Sequence, residues 1–87
     1  MKQVEWYVYF LMTENGKIYT GISPDVETRF EMHLSGRGAL FTKLNKPIKV
    51  LAYKSFPTKR DAAKLEIQIK KIPKQSKLDL IRIWNQT

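Results

Sequence analysis

The alternation of apolar and polar positions predicts two strands near the start of the chain. Residues 6–13 are rich in aromatic and β-branched residues and are apolar on both alternations, which is typical of a central strand covered on both faces. Residues 17–23 form a second such segment, and Glu14-Asn15-Gly16 between the two is a strong hairpin signal. The sequence therefore predicts an antiparallel hairpin whose register depends on the length of its turn.

A helix is expected directly after the hairpin. Ser23-Pro24-Asp25 offers a capping hydroxyl, a proline suited to the first turn and an acidic residue near the positive helix end, and the helix should run to about Leu34. Val26, Phe30 and Leu34 recur every four residues and would form its buried stripe. Residues 35–49 then form a basic, glycine-containing loop, whose length in a small fold favours a functional segment.

The second half of the chain contains one more strand and two more helices. Residues 50–56 form the strand, and Thr58-Lys59-Arg60-Asp61 resembles a capping box that opens a helix. Pro73 interrupts this helix, and a last short helix follows. The apolar residues at helical spacing are Ala62, Leu65, Ile69 and Ile72, then Leu78, Ile81 and Trp84. The order of elements predicts an α+β fold, with a small antiparallel sheet packed against helices.

The length of the hairpin turn decides where two tyrosines point. A two-residue loop at Asn15-Gly16 would turn Tyr9 and Tyr19 to opposite faces of the sheet. A three-residue loop at Glu14-Asn15-Gly16, with its glycine left-handed, would place Tyr9 opposite Gly21 and both tyrosines on one face, about 7 to 8 Å apart as diagonal neighbours. The absence of a side chain at Gly21 would leave an opening there. Both registers are compatible with the sequence.

Composition narrows the kinds of chemistry that the chain can support. Its 87 residues favour one modest core, so we expect a single domain over residues 1–87. There is no cysteine and one histidine, His33, which excludes disulfides, thiol nucleophiles and the usual zinc spacings. The longest apolar run, residues 6–12, is far shorter than the roughly 20 residues that cross a bilayer, and a cytoplasmic location is expected.

The positive charge is concentrated in the second part of the chain. Residues 1–36 carry three basic and five acidic side chains, whereas residues 37–87 carry thirteen basic and three acidic ones. Such asymmetry suits a polyanion, because neutralised phosphates release counterions and give sequence-independent affinity. Ordinary solvated lysines would explain it too, but membrane binding is disfavoured because the lysines do not concentrate on one amphipathic helix. We expect nucleic acid as the partner.

Five polar side chains are candidates for an active site: Tyr9, Tyr19, Arg29, His33 and Glu66. Each has an ordinary alternative, since strand tyrosines usually pack in the core and Glu66 could pair with Lys70 one helical turn on. With the three-residue turn, however, the tyrosines share a face, Arg29 and His33 share a helix face, and Glu66 borders an apolar stripe. A carboxylate can hold Mg²⁺ with phosphate oxygens and water, an arginine can stabilise phosphate charge, and a tyrosine or histidine can orient water.

These residues resemble a known nuclease family. Tyr7-Val8-Tyr9, followed ten residues later by Tyr19-Thr20-Gly21, is similar to the paired motifs of the GIY-YIG nuclease domain, and Arg29, His33 and Glu66 follow in the family's order. Tyr7 stands where the first motif has glycine, and Thr20 where the second has isoleucine. The resemblance covers about residues 5 to 80. Residues 33–39, with Thr42-Lys43 after them, look like the small stand-alone bacterial branch of this family.

The resemblance implies a fold, a reaction and a set of roles. The fold is an α/β sandwich around a three-stranded antiparallel sheet, and the reaction is metal-dependent endonuclease cleavage of a phosphodiester. Glu66 would bind Mg²⁺ or Mn²⁺, Arg29 would stabilise the scissile phosphate, and Tyr9, Tyr19 and His33 would position or activate water. The loop would contact the nucleic-acid backbone through Arg37, Lys43 and Lys46.

Some features leave the function open. Ile22 stands where repair-type members can carry a lysine near the second tyrosine, which removes a cation that would lower the tyrosine pKa. A structure-selective nuclease acting on DNA rather than RNA fits best. The main alternative is a weakly active or inactive nucleic-acid-binding module that assists DNA repair or recombination, and a small protein-binding domain is a third possibility.

Overall fold

A computed structural model of the chain describes residues 4–86, which form three strands and four helices. The apolar and polar pattern had predicted all three strands and three of the helices. In chain order the elements are β1 (Trp6–Thr13), β2 (Ile18–Ser23), α1 (Val26–Leu34), α2 (Leu40–Leu44), β3 (Pro47–Phe56), α3 (Lys59–Lys70) and α4 (Lys74–Trp84).

The strands form one antiparallel sheet in the order β2-β1-β3. β1 is the central strand, and Val8, Tyr9, Phe10 and Leu11 in succession are each at most 1% exposed. Burial of consecutive side chains, which point alternately up and down, means that both faces of β1 are covered. The three-stranded antiparallel sheet and the α+β class are therefore confirmed.

The hairpin has the three-residue turn. The Thr13 backbone N–H donates to the Lys17 carbonyl at 3.0 Å, and Gly16 has a φ of +77°. Tyr9 consequently pairs with Gly21, and Leu11 with Tyr19. The two-residue alternative is wrong, because its usual type I′ turn requires positive φ at Asn15 as well as at Gly16, and within residues 4–86 only glycines have positive φ.

The helices cover the sheet on two sides. Val8 and Phe10 point into the main core, where Ala62 and Ile69 of α3 and Ile81 of α4 pack against them. On the other face, α1 lies over Tyr9, whose hydroxyl contacts His33 of that helix. The sandwich thus has an apolar interior on one side of the sheet and a polar one on the other, and the candidate residues belong to the polar side.

The first helix differs from the prediction at both ends. Its cap is Asp25, whose carboxylate accepts from the Thr28 N–H, while Ser23 lies further out and accepts from the Asp25 N–H. Leu34 is 44% exposed, whereas His33 is 1% exposed. The buried stripe therefore steps by three residues from Phe30 to His33, because this turn of the helix faces the Tyr9 hydroxyl rather than apolar side chains.

The segment 35–49 is only partly a loop. It contains the short helix α2, and β3 begins at Pro47 rather than at Val50. Asn45 ends the helix by donating from its side chain to the Phe41 carbonyl at 2.9 Å, and it accepts from Asn15 of the hairpin turn. A five-residue helix is too short to show a helical period in the sequence. The prediction of a loop over all of residues 35–49 was therefore wrong across α2 and at the start of β3.

The last two helices follow the prediction closely. Thr58 Oγ1 caps the helix by accepting from the Asp61 N–H at 3.1 Å, and it donates to the Asp61 carboxylate at 2.9 Å. Pro73 separates α3 from α4 at the residue just before α4. Within residues 4–86, none of the helices combines the length and apolar character needed to cross a bilayer.

The core predicts a stabilising substitution at Thr20. This residue is 3% exposed, and its hydroxyl has no hydrogen-bond partner among the described residues. Thr20→Val keeps the shape and removes an unsatisfied group, so we expect unfolding to cost about 1 kcal/mol more, or a melting temperature about 4 to 8 °C higher.

Thr13→Val is the matched control for Thr20→Val. Thr13 is equally buried, but its hydroxyl is bonded to Asn15 and to the backbone of Lys17. Its replacement should lower the melting temperature. A fall in melting temperature for Thr20→Val as well would contradict the assignment of an unpaired hydroxyl.

Candidate active site

Two tyrosines lie side by side on the polar face of the sheet. The ring centroids of Tyr9 and Tyr19 are 6.3 Å apart. Gly21 lies against both rings, and a Cβ atom added there would be 2.5 Å from the Tyr9 hydroxyl oxygen. A contact this short is far inside van der Waals distance, so the absence of a side chain at Gly21 is what admits the Tyr9 phenol.

Helix α1 brings the histidine onto the tyrosines. His33 Nε2 lies 2.9 Å from the Tyr9 hydroxyl oxygen, and the imidazole centroid is 5.0 Å from that of Tyr19. On the far side of the ring, Nδ1 lies 2.7 Å from Thr42 Oγ1 of α2. The backbone at Gly38 is so close that a Cβ atom there would overlap the imidazole. The histidine is thus fixed from both sides.

The direction of these hydrogen bonds follows from the threonine. Thr42 Oγ1 lies 2.9 Å from the Ala39 carbonyl, which can only accept, so the threonine hydroxyl donates its one proton there. Its oxygen then accepts from His33 Nδ1–H, which leaves the Nε2 lone pair to accept the proton of the Tyr9 hydroxyl. Burial, and secondarily the charge of Arg29, lower the pKa of His33, so the neutral imidazole required by this arrangement is favoured.

The charges of Arg29 and Glu66 both affect the pKa values of the two tyrosines. Burial raises the pKa of Tyr9 most, and the neighbouring Tyr19 adds to this, while the Arg29 guanidinium opposes it. Burial also raises the pKa of Tyr19, with the Glu66 carboxylate adding to the effect and Arg29 again opposing it. Electrostatic influence of this kind requires proximity, so the arginine and the glutamate lie near the two phenols.

Glu66 has a second contact. Its carboxylate lies 3.4 Å from Lys70 Nζ, the pair that the helical spacing had suggested, and the Glu66 side chain is 19% exposed. Exposed pairs of this type contribute only about 0.3 to 0.5 kcal/mol. The carboxylate is therefore free to exchange this partner for another cation.

The structure brings the five candidate side chains, Tyr9, Tyr19, Arg29, His33 and Glu66, around one place at the β2 side of the sheet. It does not bring the three basic residues of the following segment into that group. Arg37, Lys43 and Lys46 are exposed around α2, and between residues 4 and 86 they form no hydrogen bond or ion pair with the five. Arg37 instead donates to Ser35 Oγ at 2.9 Å.

Three neighbours of the site were not recognised as such in the sequence. Thr42 fixes the imidazole from a helix that the apolar pattern did not reveal, and Phe41 of the same helix lies 5.7 Å from Tyr19 between ring centroids. Lys70 was recognised only as a partner for Glu66, yet its ammonium also lies 5.9 Å from the centroid of the Tyr19 ring. Contacts between distant parts of the chain explain why these roles were missed.

The acidic residues around the site are few. Within the described range, no group of three histidine, cysteine or carboxylate side chains is close enough to enclose a metal ion. Glu66 is the one carboxylate among the five candidate side chains, so the site supplies few protein oxygen donors. Such a donor set suits Mg²⁺ or Mn²⁺, which keep water and phosphate oxygens in the remaining positions, and it does not suit zinc.

The hydrogen bond between Thr42 and His33 can be tested by measuring the free energy of unfolding of Thr42 variants. Thr42→Val should lower the free energy of unfolding by about 1 to 3 kcal/mol, because it leaves the buried His33 N–H without an acceptor. Thr42→Ser retains the hydroxyl and should lose less than half as much. Chemical denaturation of the two variants measures the difference, and equal losses would show that the methyl group rather than the hydrogen bond matters.

The buried histidine also predicts how stability depends on pH. Its pKa in the folded protein lies below the unfolded value of about 6.5, so the unfolded chain binds the extra proton. The histidine contribution is complete above pH 6.5 and is lost as the pH falls from there through the folded pKa. Because His33 is the one histidine, His33→Gln should flatten the stability profile between pH 7.5 and 5; an unchanged slope in urea unfolding would contradict the shift.

Comparison with known proteins identifies the family to which the chain belongs. The family model described as the GIY-YIG catalytic domain matches residues 5–79. A UPF0213 protein of Cupriavidus necator is 49% identical over 72 residues, which cover 83% of this chain and 78% of that protein. A UPF0213 protein of Xanthomonas axonopodis pv. citri is 40% identical over 82 residues, covering 94% of this chain and 80% of the relative.

A solved structure agrees with these sequences. The solution NMR structure of a UPF0213 protein from Bacillus halodurans matches with a TM-score of 0.60 and 33% identity, over 94% of this chain and 87% of that one. The family match extends from before β1 into α4 and contains all five candidate side chains. The chain belongs to the GIY-YIG domain family, and its relatives are small bacterial UPF0213 proteins.

Proposed function

We propose that this protein is a divalent-metal-dependent endonuclease that hydrolyses phosphodiester bonds, with structured DNA as its substrate. The family implies a nuclease-like function, and one observation supports it most directly. The hydrogen-bonded series from Thr42 through His33 to Tyr9 ends at a phenol that lies beside Arg29, Tyr19 and Glu66. This series provides a proton acceptor next to groups that suit an anionic phosphate.

The pKa shifts of Tyr9 and His33 favour transfer of a proton through the Tyr9 hydroxyl over a preformed Tyr9 phenolate. Because the pKa of Tyr9 is raised, its phenolate is scarce at neutral pH and cannot serve as a resting base. In the hydrogen-bond arrangement above, the Tyr9 oxygen can accept a proton from the attacking water while its own proton passes to His33 Nε2. The phenol then stays neutral throughout, and the imidazole holds the proton only transiently, as its lowered pKa requires.

Arg29 and Glu66 would act on the phosphate side. The Arg29 guanidinium offers fixed donors for the charge that grows on the nonbridging oxygens during attack. Glu66 would hold Mg²⁺ or Mn²⁺ in exchange for its contact with Lys70. When bound, such an ion polarises the phosphate and stabilises the leaving oxygen. Tyr19, between these groups, would orient the water.

The surface favours recognition of DNA shape. Arg37, Lys43 and Lys46 are exposed around α2, where their charges would contact backbone phosphates. Phosphate contacts carry no sequence information in themselves, so selection would depend on the geometry of branched or flapped DNA. Binding with little cutting is the second candidate function. It is supported by the raised tyrosine pKa values, which make a phenolate base scarce, and by the Glu66–Lys70 pair, which occupies the candidate metal ligand.

Cleavage assays test the proposal. The protein is incubated with branched, flapped and single-stranded DNA and with RNA, in Mg²⁺, in Mn²⁺ and without metal. Arg29→Gln should lower the cleavage rate by about 100- to 1,000-fold, since it removes a preorganised charge from the transition state. Glu66→Gln should abolish stimulation by metal, whereas Asp79→Asn on α4, whose carboxylate contacts Gln75 and Arg82, should cut as the wild type does.

Three outcomes of the cleavage assays would contradict parts of the proposal. Wild type and Glu66→Gln giving the same products at the same rate would contradict the assignment of the active site. Absence of cleavage by the wild type on every substrate in both metals, with binding retained, would favour the binding module. RNA cut faster than each DNA would contradict the substrate class alone.

A further inference from the structure

A groove lined with lysines begins at the active site and runs toward the hairpin turn. It consists of two adjoining hollows that share Ile18, Phe41 and Lys77. The inner hollow reaches Tyr19, and the outer one reaches Gly16 at the turn. The groove therefore connects the candidate active site with the outer surface of the protein.

Its charge comes from separate parts of the chain. We define the lysine groove by Lys17, at the start of the second hairpin strand, by Lys70 at the end of α3, and by Lys74 and Lys77 in the first two turns of α4. Among residues 4–86, no carboxylate lines either hollow. Lys70 is paired with Glu66 just beyond the inner end, and the other three ammonium groups produce a positive potential that suits a chain of phosphates.

One lysine fixes the outer end of the groove. Lys74 Nζ donates to the Gly16 carbonyl at 2.6 Å, which joins α4 to the hairpin turn. The contact ties the turn next to Lys17 to the helix that carries Lys74 and Lys77. Because it already orders the Lys74 side chain, that lysine loses less conformational entropy on binding than a free one would.

Aromatic rings form the other part of the groove. Phe41 lines both hollows, and its ring is tilted by 31° from that of Tyr19 at a centroid distance of 5.7 Å. An aromatic face within a cationic groove is the combination that binds single-stranded nucleic acids, because unpaired bases stack while lysines follow the backbone. A duplex would keep its base faces hidden and could use only the charges.

We propose that the lysine groove binds a single-stranded segment of nucleic acid and leads its backbone to Tyr19. The phosphates lie along the four lysines, and one unpaired base stacks on Phe41. This deepens the proposed function, on which it rests for the role of Tyr19, and it assigns a strand path separate from Arg37, Lys43 and Lys46. A substrate with a duplex joined to a flap would occupy both surfaces at once.

Binding of labelled oligonucleotides without metal tests the groove separately from cleavage. The probes are a fluorescein-labelled oligothymidine of twelve nucleotides and a duplex of twelve base pairs, in EDTA and at salt concentrations from 50 to 200 mM. Lys17→Ala combined with Lys77→Ala should reduce the salt-dependence slope for the single strand by about 1.4 and weaken binding roughly tenfold at 150 mM salt. Lys49→Ala combined with Lys64→Ala removes the same charge from exposed positions outside the groove and should change the slope less.

The aromatic contact has its own readout. Phe41→Leu keeps apolar bulk beside Tyr19 and should weaken single-strand binding by roughly fivefold or more while leaving duplex binding unchanged. Circular dichroism and melting curves verify that each variant is folded. Equal effects of the two double lysine variants, or a Phe41→Leu loss that is equal for duplex and single strand, would overturn the proposal.

The two proposals fail in different ways. Normal single-strand affinity in the groove variants, together with loss of cleavage in Glu66→Gln, would reject the groove and leave the nuclease. Weakened single-strand affinity in the groove variants, together with no cleavage by the wild type, would retain the groove and reject the nuclease.

Discussion

The left-handed conformation of Gly16 is the constraint on which the site depends. It lengthens the hairpin turn to three residues and so pairs Tyr9 with Gly21 rather than with the bulky side chain next to it. A shift of one residue in a strand moves every side chain to the other face of the sheet. With the other register, Tyr19 would point into the apolar core, and the phenols could not meet His33.

Local sequence patterns predicted the fold well, whereas features that depend on contacts between distant residues were not predicted. The central strand, the two alternatives for the hairpin and the helix opened at Thr58 were evident from the sequence because each depends on neighbouring residues. The predicted burial of Leu34 was wrong, because His33 is buried instead, and its burial depends on Tyr9, which lies 24 residues away in the chain. Helix α2 was missed because its five residues show no period, and with it the threonine that holds the imidazole.

The face of the sheet that carries Tyr9 and Tyr19 buries polar rings where an apolar core would be more stable. Two phenols and an imidazole occupy space that apolar side chains fill on the other face of the same sheet. The hydrogen bonds of His33 with Tyr9 and Thr42 offset part of the cost of burial, and burial favours the neutral form of all three rings, as the direction of their pKa shifts shows. The two tyrosines and the histidine therefore can pass a proton among neutral forms, while the lasting charges at the site are those of Arg29 and Glu66.

The solitary histidine gives this fold an internal spectroscopic probe. Because His33 is unique in the chain and almost fully buried between Tyr9 and Thr42, its imidazole carbon-bound protons belong to one environment and need no assignment against other histidines. Rings on either side shift such resonances away from those of a solvated imidazole. A one-dimensional NMR spectrum of the unlabelled protein can thus follow a cation or an oligonucleotide entering the site, including in variants that no longer turn over.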